Sequence, residues 1–238
     1  MRIAIRRERR RRSGTDHPGF KNPHDWPPFF DRLERLTHSL ALTHKTDSPH
    51  FILVSSDQFL RQGFRFAPYP LSNGWVTSTL DNALDLLPKA PGVQLLVDIY
   101  YTDAPAIETL DRLRRISFEY PQNYIHLIAP TQDKKALRFM KAVTALRIIS
   151  RHSPFRTLRK KLLMPKPIQF NRKSHFSRDE WLILMALTQG RSLKSIASDH
   201  DKDYHRIIYR LGRMVERLKL QHRSELIHLL QNLSASSN

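Results

Sequence analysis

The segment from Phe176 to Leu230 constrains this chain more than any other, because its apolar residues fall into four helical stripes parted by short polar turns. Ser177 followed by Glu180 is a capping-box pattern, in which each side chain satisfies the other residue's backbone N–H at a helix start. Trp181, Leu184, Met185 and Leu187 continue with helical spacing, and Gly190 suits the left-handed residue that ends a helix. Ser192 opens a short second helix with Leu193, Ile196 and Ala197 turned inward. Asp201 or Asp203 caps a third helix, where Ile207, Leu211, Met214 and Leu218 make one apolar stripe. Its opposite face carries His205, Arg206, Tyr209, Arg213 and Arg217. Ser224 and Glu225 open a last helix with Leu226, Ile227 and Leu230.

A helix with one apolar and one cationic face is either a solvated surface helix or a groove reader, with cations on phosphates and a few side chains on base edges. The order of the four helices favours the reader. Charge agrees: the chain carries a net +18, and from Arg156 onward 17 Lys and Arg stand against 7 Asp and Glu. An excess of that size suits a polyanionic partner, with affinity that falls steeply as salt rises.

At Phe176-Ser177, Glu180, Leu184, Gly190, Ser192, Ile196-Ala197, Ile207, Leu218, Leu220, Arg223 and Ser224-Glu225-Leu226 the chain resembles the C-terminal domain of LuxR/FixJ-type transcription regulators, without a gap over about 55 residues. The resemblance implies an all-α four-helix helix-turn-helix domain whose helix at 204–218 enters the major groove. Its DNA-facing positions are then Lys194, His205, Arg206, Ile208, Tyr209, Gly212, Arg213 and Arg217. The last helix, about 223–231, becomes a dimer contact through Arg223, Leu226, Ile227 and Leu230. The chain also departs from the family's pattern. His200 and Lys202 replace apolar residues in the turn, and Arg210 stands where a His is common. Ile208 and Gly212 occupy positions that often carry Lys, and a mid-helix Gly costs about 1 kcal/mol relative to Ala.

Upstream the rhythm is different. Residues 1–28 form a basic tail with seven Arg in the first twelve positions, read as a solvated segment or as a basic arm. Phe29, Phe30, Leu33, Leu36 and Leu40 outline a leading helix. Short apolar runs at 51–54, 74–77, 94–99, 124–129 and 147–150 alternate with helical stretches near 57–66, 80–87, 106–118, 134–145 and 155–163. Strands and helices alternating at this spacing indicate a parallel sheet covered on both faces. Residues 164–173, with Pro165 and Pro167, read as a linker, which gives an α/β domain over 29–163 and a helical one over 174–238. This order resembles that of response regulators, so the first domain is expected to be receiver-like, with a flavodoxin-like strand order.

A receiver that takes a phosphoryl group needs an acidic pair after strand one, an acceptor Asp after strand three, a Thr or Ser after strand four and a Lys after strand five, with Mg²⁺ drawing the anionic groups together. Here Asp98 matches the acceptor, although an Asp at a strand end is commonly a loop cap. Ser55 and Ser56 replace the acidic pair, with Asp57 one residue later. Ile128 replaces the Thr or Ser, and Ser150 or Arg151 the Lys. The expected domain is a degenerate, non-phosphorylated one, as in auxiliary regulators of the RcsA/BglJ kind.

The chain has no Cys, which removes disulfides and thiolate metal sites and suits a reducing cytoplasm. No apolar run reaches membrane-spanning length, and the Arg-rich start lacks the apolar core of an export signal. The twelve His are scattered and read as surface or half-buried residues, so neither a metal nor another cofactor is expected. No nucleophile–base pair or phosphate-cradling Gly loop argues for an enzyme. The expected partners are double-stranded promoter DNA, a second copy or a related regulator, and RNA polymerase; the expected place is the bacterial nucleoid. Two other functions compete: a conventional response regulator phosphorylated on Asp98, and an interaction module that titrates another regulator without specific DNA binding.

Overall fold

The computed structural model describes residues 49–67, 73–143, 146–163 and 175–235. The basic tail, the leading helix and the linker expected from sequence lie outside them. In chain order the described elements are β1 (Phe51–Val54), α1 (Gln58–Arg65), β2 (Gly74–Thr77), α2 (Leu80–Leu86), β3 (Gln94–Asp98), α3 (Ala106–Glu119), β4 (Tyr124–Ala129), α4 (Lys134–Val143), β5 (Arg147–Ser150) and α5 (Phe155–Leu163). Four helices follow: α6 (Arg178–Thr188), α7 (Leu193–Asp199), α8 (Tyr204–Arg217) and α9 (Arg223–Ser234).

The five strands form one parallel sheet in the order β2-β1-β3-β4-β5, the flavodoxin-like order expected from sequence. Parallel strands are covered on both faces and so read as apolar runs, as FILV and the LLV within QLLVD do here. Alternate side chains serve opposite faces. Ile52, Val54, Leu95 and Val97 meet α2, α3 and α4, while Phe51, Leu53, Leu96 and Ile149 meet Phe64 of α1 and Leu158 and Leu162 of α5. Gly74 is required in β2, since a Cβ there would overlap the Phe51 ring.

His126 departs from the sequence expectation for histidines. It lies inside β4 and is fully buried. One ring nitrogen, Nε2, lies 3.0 Å from Gln94 Oε1, while Nδ1 has no hydrogen-bond partner among the described residues. Burial, aided by Arg147 and Lys161, pushes its pKa down to about 4, so the ring is neutral.

The helical part starts as its sequence requires. Ser177 Oγ accepts from Glu180 N and Glu180 Oε2 accepts from Ser177 N, the reciprocal pair of a capping box. Gly190 takes φ +75°, and Arg191 N then donates to Ala186 O to close α6. Ser192 caps α7 by accepting from Ser195 N. Asp203 stands at the α8 N-cap position without a side-chain cap bond, and Asp201 makes the turn at φ 48°. The core of these helices is continuous with that of the sheet, through Phe139 of α4, whose ring lies tilted 5.5 Å from Phe176 and 6.2 Å from Trp181.

Candidate nucleic-acid interface and acidic pocket

Helix α8 buries Ile207, Leu211, Met214 and Val215 and turns its other face outward. On that outer face His205, Arg206, Tyr209 and Arg213 are exposed, Tyr209 by 65%. Lys194 is exposed on α7. Arg213 hydrogen-bonds the Tyr209 side chain, which holds its guanidinium above the ordinary range. Ile208 and Gly212 are half-buried beside them. A Cβ at Gly212 would meet nothing within 4 Å, so this glycine answers no steric need.

Arg217 belongs to the fold rather than to this face. Its Nη1 and Nη2 donate to both oxygens of Glu180 at 2.9 and 3.0 Å, and it lies over the Phe176 ring. The reason is position: the last turn of α8 crosses the start of α6, where the capping-box carboxylate is already buried and needs a cation. Two of the departures noted above have a similar explanation. Lys202 and Arg210 converge on Asp179 at 2.7 and 2.8 Å, tying the α7–α8 turn and α8 to α6. These hydrogen bonds, Lys202 first, hold the Asp179 carboxyl below its usual range. Thus three cations near this face are held by carboxylates of the chain, and Lys194, His205, Arg206 and Arg213 remain on the surface.

The last helix also needs correcting. Leu226 and Leu230, expected at a dimer contact, are buried with Leu229 and Leu233 inside the chain, and α9 also packs on α3. Only Arg223 and Ile227 of the expected set are exposed, Ile227 by 44%. Sequence reasoning missed the seam between the sheet and the helices altogether. Arg114 of α3 donates to the carbonyls of Val143 and Phe176. Trp181 Nε1 donates to Asp111 at 2.7 Å, and Arg138 reaches Leu218 O at 3.3 Å. Lys135 pairs with Glu225 at 3.3 Å.

At the C-terminal ends of the strands lies a small acidic pocket. Asp98 ends β3 fully buried. Its Oδ2 accepts from Ser55 Oγ at 3.1 Å and lies 3.5 Å from Arg151 Nη2, while Oδ1 has no hydrogen-bond partner among the described residues. Burial pushes its pKa up to about 6, against the opposing pull of Arg151 and Ser55. Asp57 caps α1 with Oδ1 and pairs with Arg151 through Oδ2. The Arg151 guanidinium lies 3.7 Å from the centre of the Tyr101 ring. Ile128 in β4 stands opposite Asp98 and offers no hydroxyl. Of the two sequence candidates for the Lys position, Arg151 enters the pocket, and Ser150 contacts Thr131 instead.

No family model matches the chain. It is 29% identical over 239 residues to the Fimbriae Y protein of Salmonella typhimurium strain LT2, across 99% of this chain and 98% of that protein. Among solved structures, the RcsB–DNA complex aligns with 77% of this chain and 98% of that one, at 15% identity and a TM-score of 0.46. RcsB from Salmonella enterica serovar Typhimurium bound to promoter rprA aligns with 76% and 96%, at 16% identity and 0.43. Full-length FixJ from B. japonicum aligns with 78% and 97%, at 17% identity and 0.39.

Proposed function

We propose that this chain is a DNA-binding transcription regulator whose receiver-like part works without phosphorylation. It acts as a dimer, with a second copy or with a related response-regulator-type protein. One observation carries the DNA part of this reading. The outer face of α8 exposes His205, Arg206, Tyr209 and Arg213 to solvent, while Lys202, Arg210 and Arg217 around them are held by carboxylates. Exposed cations and an aromatic on a helix supported by its neighbours suit phosphate and base-edge contacts in a major groove.

The pairing part is supported by Ile208 and Gly212, which leave the reader with few cations of its own. A weak reader gains affinity when a partner on the same site raises its effective concentration. The exposed face for such pairing on α9 holds Arg223 and Ile227. The reading carries with it a cytoplasmic location on the nucleoid, a contact with RNA polymerase at promoters, and no turnover of substrate.

The test is duplex binding by fluorescence anisotropy across a salt series. Arg206→Ala and Arg213→Ala should each weaken binding and lower the slope of log K against log salt by about 0.9. Unchanged affinity in both would favour the interaction-module reading. For the phosphorylation part, intact mass after incubation with acetyl phosphate and Mg²⁺ should be unaltered. A phosphoryl adduct that disappears in Asp98→Asn would restore the conventional response regulator.

A further inference from the structure

The receiver-like resemblance implies a divalent cation held by carboxylates around Asp98, and with Arg151 in place the residues present do not fit one. Ser55 stands where an acid is needed, and its hydroxyl is committed to Asp98 Oδ2 and to Asp57 N. The Asp57 carboxylate spends Oδ1 on the first turn of α1 and Oδ2 on Arg151. Among the described residues no group of three or more His, Asp or Glu converges to hold a metal ion. The space between the two carboxylates is taken by a cation that belongs to the chain. Arg151 Nη2 contacts Asp57 Oδ2 and lies 3.5 Å from Asp98 Oδ2. The Tyr101 ring covers the face of the guanidinium. Backbone bonds hold this arrangement in place: Arg151 N donates to Ala129 O, Tyr101 N to Asp98 O, and Ser56 N to Tyr101 O.

We propose that the Arg151 guanidinium is the built-in cation of this pocket, offsetting the charge of Asp57 and Asp98 in place of a divalent ion. The pocket therefore takes no Mg²⁺ while Arg151 is present, and loss of Arg151 uncovers a divalent-cation site formed by Asp57 and Asp98. A guanidinium fits the task because it is planar, always charged and able to serve two carboxylates at once. Covalent tethering makes the offset permanent. The loops after β1, β3 and β5 are then held together whatever the metal or phosphodonor concentration. The proposal deepens the phosphorylation-independent part of the proposed function and is independent of its DNA part.

The experiment is Mn²⁺ titration of the full chain without DNA, followed by electron paramagnetic resonance, with far-UV circular dichroism to confirm folding. Mn²⁺ serves as the probe for Mg²⁺-type sites. Arg151→Gln should bind a single Mn²⁺ at least about tenfold more tightly than the unaltered chain. Adding Asp98→Asn to that variant should abolish the gain. Arg151→Lys keeps a charge in place and should show no gain. The proposal is overturned if the unaltered chain binds Mn²⁺ as tightly as Arg151→Gln, or if folded Arg151→Gln gains nothing. Should Arg151→Gln not fold, the other two proteins decide. Tight Mn²⁺ binding by the unaltered chain, or a gain in Arg151→Lys, would overturn the proposal, and weak binding by both would support it. Because no arm contains DNA, failure here leaves the DNA reading untouched.

Discussion

Between pH 4 and 6.5 two buried groups should pull the stability of this chain in opposite directions. The Asp98 carboxyl rises from 3.8 in the unfolded chain to about 6 in the folded one, chiefly because it is buried. Through that window the folded state holds the extra proton, so acidification stabilises it, and the gain is lost as pH rises through 6. The shift corresponds to about 3 kcal/mol. His126 falls from 6.5 to about 4, again chiefly through burial. Below 6.5 the unfolded chain takes the proton first, so acidification costs about 3 kcal/mol by pH 4. The two slopes nearly cancel in the unaltered chain. Asp98→Asn keeps the shape of the neutral acid and removes only the Asp98 slope. It should be more stable than the unaltered chain by up to about 3 kcal/mol at pH 7, with the advantage shrinking to near zero at pH 4. His126→Gln should show the reverse trend, its deficit narrowing by about 3 kcal/mol over the same range. Urea unfolding at several pH values measures both, and subtracting the unaltered chain at each pH removes the background of other titrating groups. A difference between Asp98→Asn and the unaltered chain that is the same at pH 4 and pH 7 would refute the reasoning.

Three further outcomes are expected. Gly212→Ala should stabilise α8 by about 1 kcal/mol, since the new Cβ meets open space, and Gly212→Lys should tighten duplex binding and steepen its salt slope by about 0.9. Arg217→Ala should cost about 3 kcal/mol, read from the urea midpoint, because it strands the buried Glu180; Arg206→Ala should leave that midpoint within about 0.5 kcal/mol. Trp181→Phe should lower stability by about 1 kcal/mol, read the same way, by leaving Asp111 without the indole N–H; an unchanged midpoint would mean that this bond across the seam contributes nothing.

The elements themselves were legible because each rests on local patterning. Runs such as Phe51–Val54 can hardly be anything but buried strands, and Ser177 with Glu180 marks a helix start with two residues. The apolar stripe of α8 was readable for the same reason. What the sequence hid was the choice of partners over long separations. Nothing near Arg217 says that its fork will close on Glu180, nor that Lys202 and Arg210 will share Asp179. A cationic stripe on a helix wheel therefore overstated the exposed cationic face by Arg217. On α9 the spacing was better than the use made of it. Leu226, Leu229, Leu230 and Leu233 recur at helical intervals and share the inward face, leaving Ile227 and Arg223 outside. His126 was invisible because its burial follows from a strand whose neighbours are set by the fold.

The central claim is that the exposed face of α8 reads DNA. Genome-wide occupancy of the tagged chain in its native host, with and without Arg206→Ala plus Arg213→Ala, tests it most directly. Discrete peaks at promoters that vanish in the double variant are expected, with a second half-site inside them where a partner binds. Peaks that persist unchanged in the double variant, or no discrete peaks alongside full regulatory activity in that variant, would contradict it.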